Sequence, residues 1–253
     1  MMTAAVATVN IVLGLVYSCY GVMTILDLKH GWRERGFSHF GLAWIAMAFT
    51  CGPHHLEHGL HAAATGSNAG VLDVLAVLVG FPAGVAWFLL RVEALAGGRG
   101  DRFITGTPKW LRVAAVLGGV YTLVMAGAIA WTWRNGINFT PRMTPNVLLL
   151  FVYCVIGYYL LRTQLGNRES SGGWSVSGVA LTAVFPTCGV MHVLFATYAA
   201  SGKYVVDPIG LTIDWLAVPA AIYFVWVVRA LHRGSVTDWN EGAEGVRPGW
   251  ALA

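Results

Sequence analysis

The chain has 253 residues, of which 57% are hydrophobic and only 11% charged, and its mean hydropathy is +0.63. A soluble domain of this size carries about a quarter charged residues on its surface, so a soluble fold is excluded and a lipid bilayer is the expected solvent. The net charge of +4 and the pI near 9.0 then speak of orientation in a membrane, and no nucleic acid partner is expected.

Mostly apolar windows fall at 4–26, 38–62, 71–96, 110–133, 144–162, 174–199 and 208–231. Each is long enough to cross about 30 Å of hydrocarbon at roughly 1.5 Å per residue. The first has no basic segment ahead of it and no convincing small-residue cleavage site, so it reads as a retained helix and not a signal peptide. Lys and Arg alternate between the connections. Thirteen of the sixteen fall in 27–37, 91–113, 162–168 and the tail from 229, while Arg134, Arg142 and Lys203 lie in the other set. The positive-inside rule makes the first set cytoplasmic. The expectation is an all-α integral protein of the cell membrane with seven transmembrane helices, an outside N-terminus and a cytoplasmic C-terminus. Residues 1–232 form the transmembrane domain, and the polar, Gly-rich stretch 233–253 is expected to be a disordered cytoplasmic tail.

An internal repeat organises these windows. Asn10, Leu13, Val16, Tyr17 and Gly21 recur as Asn146, Leu149, Val152, Tyr153 and Gly157. Thr50-Cys51-Gly52 with His55 recurs as Thr187-Cys188-Gly189 with His192, and Asp73 with Pro82 as Asp214 with Pro219. The offsets are 136, 137 and 141 residues, in chain order. The predicted plan is 3+1+3: repeat one over 4–96, a linker helix at 110–133 that inverts the chain, and repeat two over 144–231. Parallel repeats of this kind place sites at the repeat interface.

Ionisable residues inside a bilayer are costly and therefore mark candidate sites. Cys51 and His55, like Cys188 and His192, are four residues apart and share a helix face. Soft sulfur with imidazole suits Cu(I), with zinc second. His54, His58 and His61 lie along one face near the outer end of the second window and extend the candidate ligand set, with Glu57 beside them. The pattern lacks HExxH, so no zinc-protease motif is present. Asn10, Tyr17, Asp73, Asn146, Tyr153 and Asp214 are candidates for orienting the ligands. For Asp73 and Asp214, helix N-capping is an equal alternative; for the tyrosines, interhelical hydrogen bonding is. The four cysteines form no CxxC and indicate no disulfide framework.

An Asn seven residues ahead of a Tyr, followed some 34 residues later by Cys-Gly-x-x-His and a third helix, resembles the copper-binding transmembrane domain of ethylene receptors. The resemblance implies a Cu(I) site carried by Asn10, Tyr17, Cys51 and His55 and, in the second repeat, by Asn146, Tyr153, Cys188 and His192. It also implies two three-helix units that act together, here fused through the linker helix. In that family an acidic residue stands where this chain has Asn10 and Asn146. No kinase or GAF region follows, so signalling implies a separate partner protein. The leading expectation is a copper(I)-binding sensor or copper-handling protein. The alternatives are a b-type haem electron carrier with His55 and His192 as axial ligands and a redox partner, and then a metal transporter. A membrane hydrolase using a His/Asp-held zinc water ranks last, with Glu57 its one evident base.

Overall fold

The computed structural model describes residues 2–66, 70–135, 140–202 and 207–234. Lys203 and the expected disordered tail beyond residue 234 lie outside the described residues. Seven α-helices occur among them: α1 Met2–Arg35, α2 His39–Thr65, α3 Val71–Leu95, α4 Lys109–Arg134, α5 Thr144–Asn167, α6 Val176–Ala200 and α7 Pro208–His232. Two short strands, β1 Phe103–Ile104 and β2 Trp174–Ser175, pair antiparallel, Phe103 opposite Ser175. Every expected window is a helix. The largest difference in length is at α1, which continues beyond the apolar window through Lys29–Arg35, about two further turns.

Six of the helices, all but α2, are long and apolar enough to cross a membrane. The chain is therefore an all-α protein of multi-pass membrane type. α2 has the length, at 27 residues, but His54, His55, Glu57, His58 and His61 dilute the hydropathy of its second half. Those polar groups face inward: His54, His55 and His58 are all buried.

α1 packs on α2 and α5 on α6; α3 lies against α1 and α6, and α7 against α5 and α2. The α1–α2 contact is close because glycines line it. A Cβ on Gly14 would stand 2.8 Å from the Gly52 carbonyl oxygen, and one on Gly59 2.9 Å from the Ala7 carbonyl oxygen. Small residues that admit neighbouring backbones are the usual device of helix packing in lipid. Gly14→Leu is expected to destabilise the fold by about 1–3 kcal/mol or more, because backbone as well as the Leu56 side chain must yield. A thermal melt in detergent measures this, and an unchanged midpoint would contradict the packing described.

α4 stands apart. It touches α6 through buried Met125 and through the Trp133 indole, which donates to Thr197 Oγ1 at 3.0 Å. The rest of its surface, with Leu123 74% exposed, is apolar and suited to lipid. At the opposite end from the histidines, buried Asp101 fixes the α3–α4 connection to the start of α6. It accepts from Ser175 Oγ (2.6 Å), Ser177 Oγ (2.9 Å) and the Ser177 amide (3.0 Å). A carboxylate at a helix N-terminus satisfies amides that have no partner within the helix.

Candidate metal centre

α2 and α6 finish at the end of the bundle where α3, α5 and α7 begin, and here three side chains from three helices converge. His54 of α2, His192 of α6 and Asp214 of α7 are each buried, and one potential ligand atom from each lies within 4.8 Å of the others. Among the described residues this is the one such group of three. His54 Nδ1 approaches Asp214 Oδ1 to 2.9 Å without hydrogen-bond alignment, and the His54 and His192 rings are 4.5 Å apart.

The amide of Asn146, at the start of α5, organises the centre. Its Nδ2 donates to Asp214 Oδ2 at 2.6 Å, which turns its Oδ1 toward His192 Nδ1, 2.7 Å away. An oxygen acceptor there requires the proton on Nδ1, so the lone pair of His192 sits on Nε2. An outer residue that fixes the tautomer and orientation of an imidazole in this way is the habitual companion of a metal-ligating histidine. Asn10 does the same for His55, accepting from its Nδ1 at 2.8 Å while its own Nδ2 donates to the Val6 carbonyl.

The cysteines are engaged elsewhere. Cys51 Sγ shares a hydrogen bond with the Tyr153 hydroxyl at 3.1 Å, and Cys188 lies beside the Tyr17 hydroxyl. Each tyrosine ring also packs edge-on against a histidine of its own half, Tyr17 on His55 and Tyr153 on His192, both with centroids 5.4 Å apart. The sequence pairs Cys51 with His55 and Cys188 with His192 as shared ligand sets; in the structure neither thiol, nor His55, belongs to the three-ligand group. His58 Nε2 lies 3.4 Å from Asp73 Oδ2, with its ring against Phe195. His61 is half-buried one turn further on, outside the group.

Asp214 is not a helix cap. Asp207 caps α7, accepting from the Ile209 amide at 2.7 Å ahead of Pro208, and Asp214 lies well inside the helix. The Asp-Pro pair before an apolar run is itself a helix-start signal and marks Asp207 for the cap. Asp73 lies in the first turn of α3, but the N-cap there is Gly70, with no side-chain cap. Glu57 and Asp207 line a small cleft together with His54, Asn146 and Asp214, so carboxylates flank the approach to the centre.

Two buried imidazoles and one carboxylate form a donor set that holds borderline divalent ions such as zinc, and three protein ligands leave a coordination position open. Two features of the side chains fit an ion. His54 Nε2 and Asp214 Oδ1 are buried without a hydrogen-bonding partner, and a buried carboxylate needs compensating positive charge. Comparison with protein-family models, with curated proteins and with solved structures finds no match for the chain.

Proposed function

We propose that the protein binds one divalent transition-metal ion, with zinc the best fit, through His54, His192 and Asp214, and serves as a membrane metal sensor or metal-handling protein. The observation that carries this is the convergence of two imidazoles and an incompletely hydrogen-bonded carboxylate in a buried setting. α2 is taken as a seventh span, buried side chains compensating for its polar half. The positive-inside rule places the centre toward the outside of the cell membrane and Arg91, Arg99 and Arg102 at the cytoplasmic end. Glu57 and Asp207 then form an acidic approach that draws cations from outside.

Several paired contacts support the 3+1+3 repeat. Tyr17 meets Cys188 as Tyr153 meets Cys51, and Asn10 holds His55 as Asn146 holds His192. α2 lies on α7 as α6 lies on α3. Thr50 and Thr187 bond back to the carbonyls three and four residues before them.

Elemental analysis of the purified full chain, before and after chelation and reloading, tests the proposal: about one zinc, iron or similar divalent ion per chain supports it, and its absence after reloading overturns it. Acidification is expected to release the ion, since the ligands bind it deprotonated. Asn146→Leu is expected to weaken binding by roughly 10–100-fold, as loss of an outer-shell partner does. Affinity measured by competition with a chelator reads this, and an unchanged value would remove Asn146 from the centre.

A second reading is favoured by one observation: Asn10, Tyr17 and His55, the residues that carry the ethylene-receptor resemblance, are in mutual contact through the His55 ring. In that reading Cu(I) draws Cys51 and Cys188 away from their tyrosines, and the bound ion is copper, lost in Cys51→Ser and Cys188→Ser.

A further inference from the structure

A cavity lies at the far end of the bundle from the histidines, between the second half of α1, the last turns of α3 and the first turns of α2 and α6. It holds about 100 Å³ and is open on one side, somewhat less than the roughly 150 Å³ that takes up a benzene ring, so a single ring fits with its edge at the mouth. Tyr20, Phe40, Trp44 and Trp87 line it. Tyr20 and Trp87 are stacked with centroids 4.1 Å apart, and Trp44 stands edge-on to Trp87 at 4.0 Å. The result is a rigid aromatic wall, which favours a flat partner over a flexible acyl chain.

Two donors on that lining have no acceptor. Trp44 is 4% exposed, and its Nε1–H is buried without a hydrogen-bonding partner; so is the Nε–H of Arg91. An indole or guanidinium N–H left unpaired in a buried setting is costly, and an acceptor on a ligand removes that cost. Charge narrows the choice. The Arg91 guanidinium is already paired through Nη2 with Asp27 Oδ2 at 2.6 Å, so the buried part of the lining offers donors without uncompensated charge; the other cation on the lining, Arg99, is solvent-exposed. A phosphate or carboxylate would meet Asp27 as well as Arg91; a neutral carbonyl would not be repelled.

We infer that this cavity binds the headgroup of a neutral, planar carbonyl compound of the membrane, the quinone class, with a ring oxygen accepting from Trp44 Nε1 and Arg91 Nε and the ring lying along the Trp44–Trp87–Tyr20 wall. The site is separate from the metal centre and does not depend on it.

The test is equilibrium dialysis of a short-tailed benzoquinone and a short-tailed naphthoquinone against the full chain in lipid nanodiscs, with empty nanodiscs subtracted. Saturable binding near one per chain is expected for at least one of the two. Trp44→Phe keeps the ring and removes the donor, and is expected to lower affinity about tenfold. Ala94→Phe fills the cavity from its rim and is expected to abolish binding, which keeps the test intact should the tryptophan variant fail to fold. Binding no greater than to empty nanodiscs overturns the inference. Unchanged affinity in both variants does so too. Displacement of the quinone by oleate or phosphatidylglycerol at lower concentration than by the unlabelled quinone assigns the cavity to an anionic lipid instead.

Discussion

His192→Ala and Asp214→Asn are each expected to strip the purified protein of the divalent ion proposed for it, while Cys51→Ser and Cys188→Ser are expected to leave it in place. The two groups separate because the structure does. His192 and Asp214 belong to the one convergent ligand group among the described residues, whereas each thiol lies against a tyrosine across the bundle. Removing one of three ligands is expected to cost more than the roughly 10–100-fold that accompanies loss of an outer-shell partner, so the ion is lost on gel filtration. Asp214→Asn is the sharper variant. It keeps the shape, removes the charge, and leaves a single oxygen to serve both the ion and the Asn146 amide that is turned toward His192. Elemental analysis of the four variants beside the unaltered protein reads the outcome. Retention in His192→Ala would overturn the centre, and loss in both cysteine variants would transfer it to copper and the Cys-x-x-x-His pairs.

The largest effect on stability is expected at the other end of the molecule. Asp101 is 6% exposed and accepts from Ser175 Oγ, from Ser177 Oγ and amide, and from the Arg102 amide. Asp101→Ala leaves several of these donors buried and unpaired, and each bond to a charged group is worth about 1.5–3 kcal/mol. A loss of about 3 kcal/mol or more follows, read as a lower melting temperature by circular dichroism in detergent. Asp101→Asn keeps one acceptor oxygen and is expected to fall between the two. A melt within about 0.5 kcal/mol of the unaltered protein, the range of an ordinary surface substitution, would contradict the role assigned to this carboxylate.

The helices were legible in the sequence because lipid imposes one demand, an apolar stretch of spanning length, and six of the seven windows meet it without reference to their neighbours; the second is long enough but diluted by its histidines. The candidate site was legible only in part. His192, His54 and Asn146 follow from the cost of burying polar groups in a membrane and from the recurrence of Asn146 as the mate of Asn10. The partner of those histidines did not follow. Four-residue spacing puts Cys188 and His192 on one face, but a face is broad, and what fills the space before it depends on a third helix. α7 lies against α2, and that packing delivers Asp214 to His54. No local pattern encodes it. Asp214 sits near the start of the last window, where capping and ligation look alike along the chain; the Asp207-Pro208 pair seven residues earlier is the signal that favours ligation.

The two ends of α2 and α6 differ at one telling position. Under the proposed repeat, His54 corresponds to Met191, which is buried at 2% exposure. One half of the bundle thus presents imidazole, imidazole and carboxylate, and the other thioether, imidazole and carboxylate, the latter with Asp73 drawn off to His58. Under the proposed metal binding, an ion that prefers nitrogen and oxygen would fill one half and not the other. Occupancy would then break the two-fold of the proposed repeat and give an otherwise even-handed scaffold a left and a right.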